Sequence, residues 1–226
     1  EQIAVTQQPS LIDPDKVVTT HIVGSINELF MEMSRGVDMR TETEWMSKWK
    51  QCERSARTAL DATFTQQDQL TEPLCAVTVS EAVADGSSVV VSSSMPVRDL
   101  EWFAPARDGV RVFSNRGVNG IDGVVSTAVG VALSSRTPTA LLIGDIALLH
   151  DSNGLLNLIR RDVRLKIIVV DNEGGGIFSF LPQAQAMDGA QFEQLFGTPH
   201  SVDFEALAKT HGMAFTWVAT AEELRR

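Results

Sequence analysis

The sequence predicts an α/β fold in which a parallel β-sheet is covered by helices on both faces. Two apolar runs, residues 140–143 and 165–171, have the composition of strands that are buried on both sides of a sheet. About 20 residues separate the two runs, which is room for one crossover helix between parallel strands. From Thr71 onward, helical and strand-like segments alternate with short connections, which is typical of a sheet of this kind.

The other elements of the sheet domain are predicted from turn and capping signals. Thr71 is a suitable N-cap for a helix with Pro73 in its first turn, and Asp85-Gly86 is a suitable end. The remaining predictions are strands at residues 88–91 and 111–113, a helix at 123–133, a helix at 204–211 and a strand at 214–218.

The first part of the chain predicts a smaller unit. A strand is expected over residues 17–23 and a helix over 26–33, ending near Gly36. A longer helix over residues 41–64, capped by Thr41 or Thr43, would connect this unit to the sheet domain. We therefore expect two regions, residues 1–66 and residues 67–226.

Composition excludes several classes of protein. Of the 226 residues, 43% are hydrophobic and 21% are charged, which is a normal globular composition. The net charge of −10 argues against nonspecific nucleic-acid binding, and no apolar run is long enough to span a membrane. With two cysteines and no secretory signal, we expect no disulfide framework and a cytoplasmic location. The spacing of the four histidines predicts no metal site, so we expect each to be structural or at the surface.

Polar residues follow the two apolar strands. Gly144-Asp145 ends the first, and Asn172 ends the second, 27 positions after Asp145. Because the carboxyl ends of parallel strands meet at one edge, where open α/β sheets bind ligands, Asp145 and Asn172 should be neighbours. A carboxylate, an amide oxygen and a backbone carbonyl together form a site suited to Mg²⁺ carrying a diphosphate. By itself, Asp145 would equally serve as a helix N-cap.

Glycines follow Asn172, in the run Asn172-Glu173-Gly174-Gly175-Gly176. Such a run is compatible with a simple turn, but three glycines also allow a ligand to approach the backbone closely. The backbone N–H groups of Gly144 and Ile146, at the start of a helix, would offer an anion site for the diphosphate.

Three separated motifs carry a family resemblance. They are residues 114–123 (SNRGVNGIDG), residues 150–153 (HDSN) and residues 172–182 (NEGGGIFSFLP). The spacing from Gly144-Asp145 to Asn172 is a further point of resemblance. The chain resembles the thiamine-diphosphate enzymes, and within them the MenD family of menaquinone-pathway synthases. The resemblance is strong over residues 92–181 and continues more weakly from residue 13 to the end. It implies a thiamine-diphosphate-binding fold, with residues 1–66 the remnant of a central domain plus a linker helix and residues 67–226 a diphosphate domain trimmed at its C-terminus.

The resemblance implies roles for the cofactor residues. Asp145, the side chain of Asn172 and the backbone carbonyl of Gly174 would bind Mg²⁺ or Mn²⁺. Ile121, an apolar residue between glycines that would equally suit a core, would support the bent cofactor. The more common family motif has glycine where Ile146 stands, and MenD-like sequences accept a larger residue there.

The resemblance also implies substrate contacts. Ser94, Arg98 and Arg116 match positions that bind the carboxylates of 2-oxoglutarate and isochorismate, and arginine suits carboxylates because it forms paired hydrogen bonds. Ile177, Phe178 and Leu181 would form the apolar wall beside the cofactor and the substrate ring. Without the resemblance, a surface position is the favoured explanation of the two arginines, and simple helix packing would explain the three apolar residues.

The implied reaction is the decarboxylation of 2-oxoglutarate and the addition of its succinyl unit to isochorismate, a transferase activity. The family's activating glutamate lies on a pyrimidine-binding domain of a partner subunit, and Glu72 and Glu81 in a predicted helix are poor substitutes. We therefore expect no catalytic residue in this chain, a homodimer or homotetramer, and an isolated chain that is inactive. Two alternatives remain: another thiamine-diphosphate lyase, such as a relative of acetolactate synthase, and a noncatalytic diphosphate-binding subunit.

Overall fold

The computed structural model describes residues 1–38, 41–67, 69–115, 117, 120–159 and 161–226. The chain divides into two compact units, Glu1–Thr58 and Ala59–Arg226. The division lies eight residues before the predicted boundary at residue 66, and it falls inside a continuous helix. The assignment of the first region to a central domain, and of the second to a trimmed diphosphate domain, stays a prediction.

The first unit contains a two-stranded parallel sheet. Strands β1 (Ile3–Thr6) and β2 (Thr20–Val23) pair in parallel, and helix α1 (Ile26–Arg35) follows. The sequence indicated β2 and α1 but not β1. Ser25 caps α1 by accepting a hydrogen bond from the Glu28 N–H, and Gly36 ends it as predicted. In this unit, none of the described residues is buried.

Helix α2 (Glu44–Thr65) begins later than predicted. The Thr43 hydroxyl accepts a hydrogen bond from the Met46 N–H at 3.2 Å, so Thr43 rather than Thr41 is the N-cap. Trp45 and Trp49 lie one turn apart on this helix and contact each other edge to face, and both are exposed.

The second unit is built on a four-stranded parallel sheet in the order β4-β3-β5-β6. Its strands are β3 (Ser88–Val91), β4 (Arg111–Phe113), β5 (Thr139–Gly144) and β6 (Leu165–Val170). Its helices are α3 (Glu72–Ala82), α4 (Met95–Phe103), α5 (Val124–Ser135), α6 (Asp145–His150), α7 (Gln183–Ala186), α8 (Gly189–Phe192), α9 (Phe204–Thr210) and α10 (Ala221–Arg225). Short helical turns occupy Ser152–Leu158, Gly176–Phe180 and Glu193–Gly197. The predicted fold class is confirmed.

The central strand β5 shows why helices cover both faces. Leu141 and Ile143 pack with α5 and α6, whereas Ala140 and Leu142 pack with α3. Successive strand side chains point to opposite faces, so an uninterrupted apolar run requires a cover on each side. The register pairs Gly144 of β5 with Val170 of β6, which brings the residues after each strand to the same edge.

Two predictions for this unit were wrong in detail, and one helix was missed. Helix α3 ends at Ala82 rather than at Gly86. Helix α4 was not predicted, although Pro96 in its first turn is a start signal. Residues 214–218 do not form a strand, because they have no ladder partner among the described residues and Trp217 is 69% exposed. Among the described residues, no helix combines the length and apolar character required to cross a bilayer.

Candidate active site

A pocket of about 520 Å³ lies where strands β3, β5 and β6 end, and this volume is within the usual range for small-molecule sites. Ten of the twelve residues predicted for the site line it: Ser94, Arg98, Ile121, Gly144, Asp145, Ile146, Asn172, Gly174, Ile177 and Phe178. Residues from distant parts of the chain meet here because the parallel register aligns the strand ends. Their roles stay predictions.

Two predicted site residues are not placed in this pocket. Leu181 follows the turn that carries Phe178, is 40% exposed, and is not among the described lining residues. Arg116 lies outside the described residues.

Asp145 is the buried charge of the site. It is 2% exposed and is the first residue of α6, with Gly144 as the N-cap. Its Oδ1 accepts the N–H of Ile146 at 2.6 Å, and its Oδ2 accepts the N–H of Gly174 at 2.8 Å. The Ile146 N–H, predicted to bind diphosphate, is therefore engaged by Asp145 here.

His200 and Asp171 also approach Asp145. Nε2 of His200 lies 3.2 Å from Oδ2 of Asp145 and 4.0 Å from Oδ1 of Asp171. Nδ1 of His200 accepts the Val202 N–H at 3.0 Å, so the ring proton is on Nε2 and is donated to Asp145. The ligand atoms of these three residues lie within 4.8 Å of one another, close enough to surround a cation.

The tautomer of His200 works against such a cation site. A metal bound at Nε2 would leave the ring with no proton while Nδ1 still accepts from Val202, an arrangement that neutral imidazole cannot provide. Coordination of a cation by the oxygens of Asp145 therefore does not require His200.

Burial raises the pKa of the Asp171 carboxyl and the neighbouring Asp145 carboxylate raises it further, whereas a hydrogen bond from the Glu173 N–H lowers it.

Asn172 is held by a residue of helix α3. Its Nδ2 donates to Oε1 of Glu72 at 2.8 Å, across 100 positions of sequence. A Cβ atom on Gly176 would lie 2.5 Å from the same Nδ2, so the amide packs directly on that glycine. Both Glu72 and Asn172 line the pocket.

The glycine loop makes room for the protein's own backbone. A Cβ on Gly174 would overlap the Gly197 carbonyl, and one on Gly175 would overlap the Phe196 carbonyl. The Gly175 N–H donates to the Gly197 carbonyl at 2.7 Å. We expected the three glycines to admit a ligand; in the structure, two of them accommodate residues 196–197 and the third accommodates the amide of Asn172.

Ser94 and Arg98 lie on the side of the pocket formed by β3 and α4. Arg98 is inside α4, seven positions after Val91, and its Nη1 donates to the Ser94 carbonyl at 2.6 Å. Ser94, the N-cap of α4, has φ 73° and ψ −135°, a conformation that favours glycine. Strain of this kind is concentrated at functional sites.

Sequence reasoning missed Glu72, Asp171 and His200. Asp171 was predicted only as the last residue of the strand run 165–171, whereas the observed strand ends one residue earlier, at Val170. Glu72 had a helix N-terminal signal but nothing that linked it to Asn172. His200 lies in a connection without periodicity, so the sequence held no signal for its contact with Asp145.

The fold and the residues at the strand ends define a class of protein. Residues 99–226 match the family model described as thiamine pyrophosphate enzyme, C-terminal TPP binding domain, and the chain belongs to this family. Thiamine pyrophosphate is the same compound as thiamine diphosphate.

Relatives narrow the resemblance to one group of synthases. The chain is 45% identical over 204 residues to the 2-succinyl-5-enolpyruvyl-6-hydroxy-3-cyclohexene-1-carboxylate synthase of Myxococcus xanthus, covering 89% of this chain and 34% of that protein. It is 43% identical over 188 residues to the synthase of the same name from Chloroflexus aurantiacus, covering 81% of this chain and 32% of that protein. The predicted resemblance to these synthases is confirmed, and the chain spans about a third of their length.

A solved structure shows the same fold. The benzoylformate decarboxylase from Polynucleobacter necessarius superposes with a TM-score of 0.64 at 18% identity, covering 99% of this chain and 40% of that one. At this identity the likeness concerns the fold alone.

Proposed function

We propose that this chain carries the metal and diphosphate half-site of a thiamine-diphosphate-dependent transferase that decarboxylates 2-oxoglutarate and adds the succinyl unit to isochorismate. The buried carboxylate of Asp145, at the end of β5 and beside the loop of Asn172, is the observation that carries the proposal. The identity of 45% and 43% to two synthases supports the choice of reaction.

The donor set fits a divalent cation and its diphosphate. Asp145 is charged and buried, a costly arrangement that a cation would offset. We assign the side chains of Asp145 and Asn172, with the Gly174 carbonyl, to Mg²⁺ or Mn²⁺, since these ions prefer oxygen ligands. In this assignment the bonds that Oδ2 of Asp145 accepts from Gly174 and His200 are exchanged for the metal.

Thiamine diphosphate, when bound, supplies the electron sink that takes up the electron pair released as CO₂ leaves a 2-oxo acid. The residues of this chain contribute positioning and charge stabilisation. The backbone N–H groups of Gly144 and Ile146 are assigned to the diphosphate at the N-terminal end of α6, where the Ile146 N–H would exchange its bond to Oδ1 of Asp145 for the ligand. Ile121 is assigned to the support of the cofactor.

Substrate carboxylates are assigned to Ser94, Arg98 and Arg116. A guanidinium group has five N–H donors, so Arg98 retains donors beyond the Nη1 bond to the Ser94 carbonyl. Ile177, Phe178 and Leu181 are assigned to the apolar wall beside the cofactor and the substrate ring; Ile177 and Phe178 line the pocket, whereas Leu181 is 40% exposed.

The rest of the active site belongs to the same proposal. The activating glutamate comes from a pyrimidine-binding domain of a partner subunit in a homodimer or homotetramer, and the isolated chain is inactive. A cytoplasmic location is also proposed, because Cys52 and Cys75 are both free thiols and reduced cysteines are typical of that compartment.

The test is substrate choice by the complete protein. We expect CO₂ release from 2-oxoglutarate and consumption of isochorismate, and no comparable turnover of pyruvate. Arg98→Ala should reduce kcat/KM about 100-fold for the acidic substrates, because a bidentate charge-assisted contact is lost. Arg161→Ala, at an exposed position, is the matched control. Efficient turnover of pyruvate that is insensitive to Arg98→Ala would instead favour an acetolactate-synthase relative.

A further inference from the structure

Glu72 is fixed by the start of a buried helix. It is the first residue of α3, where the Thr71 hydroxyl caps the helix by accepting the Leu74 N–H. Residues 74–79 of α3 are buried and include part of the core beneath β3 and β5. The backbone that carries Glu72 is therefore held by the core.

The contact with Glu72 determines which end of the Asn172 amide faces it. An ionised carboxylate only accepts hydrogen bonds, so the NH₂ group must face Glu72, as the 2.8 Å distance from Nδ2 to Oε1 shows. The packing of Nδ2 against Gly176 holds the amide on its other side. The amide oxygen is consequently turned away from Glu72 and stays available as an acceptor.

We infer that Glu72 is a positioning residue that orients the side-chain oxygen of Asn172 toward the cation. This inference rests on the proposed function, which assigns Asn172 to the metal. Removal of a residue that holds a metal ligand in place typically lowers the metal affinity about 10–100-fold. The glutamate that looked unrelated to catalysis in the sequence thus contributes to the site through Asn172.

The inference is tested by Mn²⁺ affinity of the complete protein, measured by electron paramagnetic resonance in the presence of thiamine diphosphate. Glu72→Ala should weaken Mn²⁺ binding about 10-fold or more. Glu72→Gln should stay within about threefold of the wild type, since its side-chain oxygen still accepts from Nδ2. Glu81→Ala, on the same helix but paired with Arg225, is the control and should not change the affinity.

A complementary pair of substitutions separates orientation from simple structural support. Because Glu72 acts through Asn172, Glu72→Ala should cost little further Mn²⁺ affinity in a protein that already carries Asn172→Ala. If Glu72 supported the site in another way, its removal would cost the same affinity in both backgrounds.

The outcomes distinguish this inference from the proposed function. If Asp145→Ala leaves Mn²⁺ affinity unchanged, the metal assignment fails and the inference with it. If Asp145→Ala abolishes binding while Glu72→Ala has no effect, or costs as much affinity in the Asn172→Ala background as in the wild type, only the role of Glu72 is overturned. Should Glu72→Ala fail to fold, Glu72→Leu, which keeps the bulk of the side chain but accepts no hydrogen bond, replaces it in both comparisons.

Discussion

Asp145 keeps a carboxylate in the interior of the protein by accepting hydrogen bonds from Ile146, Gly174 and His200. Hydrogen bonds to a charged group contribute about 1.5–3 kcal/mol each, which offsets part of the cost of burial. A cation that binds Asp145 must therefore compensate for the bonds that it replaces. The Mg²⁺ affinity of the proposed site consequently depends on the neighbours of Asp145 as well as on the proposed ligands.

Replacing His200 distinguishes two ligand sets for the cation: the proposed set with Asn172 and the Gly174 carbonyl beside Asp145, and the set of Asp145, Asp171 and His200. With Asp145, Asn172 and the Gly174 carbonyl as ligands, His200→Ala should leave Mg²⁺ affinity within about threefold or raise it, because the imidazole only donates to Asp145. Asn172→Ala should lower the Mg²⁺ affinity by about 10-fold or more. Isothermal titration calorimetry with Mg²⁺ and thiamine diphosphate makes the comparison. A loss on His200→Ala as large as that on Asp145→Ala would identify His200 as a ligand.

Asp99 on α4 predicts a dependence of stability on pH. Burial, together with the smaller effect of the Glu72 carboxylate, raises the pKa of its carboxyl to about 6, and its Oδ1 has no partner among the described residues. Because the folded state retains a proton that the unfolded chain releases, stability falls as pH rises from about 4 to about 6. Asp99→Asn should therefore raise the free energy of unfolding by about 1–2 kcal/mol at pH 8 and change it little at pH 3.5.

Urea unfolding at the two pH values measures this effect. Asp162→Asn, in an exposed loop, is the control and should show no difference between them. A destabilisation of the Asp99→Asn variant at pH 8 would mean that the charged carboxylate makes a favourable contact in the folded protein.

Single residues of the site were predictable where a strand ended in a polar residue. Asp145 and Asn172 follow apolar runs, so their meeting at the pocket follows from the geometry of parallel strands. His200 reaches Asp145 from an irregular connection, and no local rule determines where such a segment packs. The hydrogen bond between Glu72 and Asn172 depends on tertiary packing, so it could not be predicted from the sequence either.

At the scale of elements, the loop after β6 and residues 193–197 form one packed unit. The Gly175 N–H bonds the Gly197 carbonyl, and Phe178 contacts Phe196 with ring centroids 5.4 Å apart. Movement of one segment therefore requires movement of the other. Since Gly174, Gly175 and Phe178 also line the pocket, this packed unit determines part of its shape.

Gly175→Ala tests this coupling. Its Cβ would overlap the Phe196 carbonyl and lie 2.8 Å from Cδ2 of Phe178, so the segment must shift. We expect a loss of about 1–3 kcal/mol in the free energy of unfolding and faster proteolysis within residues 187–203. Gly130→Ala, in α5 with no atom within 4 Å of the added Cβ, should be neutral or stabilising. Unchanged proteolysis and stability of Gly175→Ala would show that the two segments are not coupled.

Burial helped to make elements predictable but did not alone decide it. Strands β3, β5 and β6 are rich in apolar residues because helices cover both faces of the sheet, and each was indicated close to its observed bounds. The exposed strand β4 was also predicted at its observed bounds. Strand β1 is half-buried and residues 214–218 are mostly exposed, and at such positions side-chain pattern and backbone pairing are only loosely related. The short helices between residues 183 and 197 are defined by local caps and tertiary contacts, and the sequence did not indicate them.

At the scale of the whole molecule, the pocket is contained in one compact unit. The described residues that line the pocket belong to Ala59–Arg226. The protein has a net charge of −10, and the described charged residues that line the pocket are Glu72, Asp145 and Arg98. For the acidic substrates that we propose, Arg98 is therefore the described lining residue that can attract a carboxylate.

The central claim is that Asp145 binds the cation that carries the diphosphate. The most direct test is calorimetric titration of the complete protein with thiamine diphosphate, with and without Mg²⁺, beside Asp145→Ala and the exposed-loop control Asp162→Ala. We predict binding that requires both Mg²⁺ and Asp145 and that Asp162→Ala does not alter. Binding that persists without Mg²⁺, or in a folded Asp145→Ala variant, would contradict the claim.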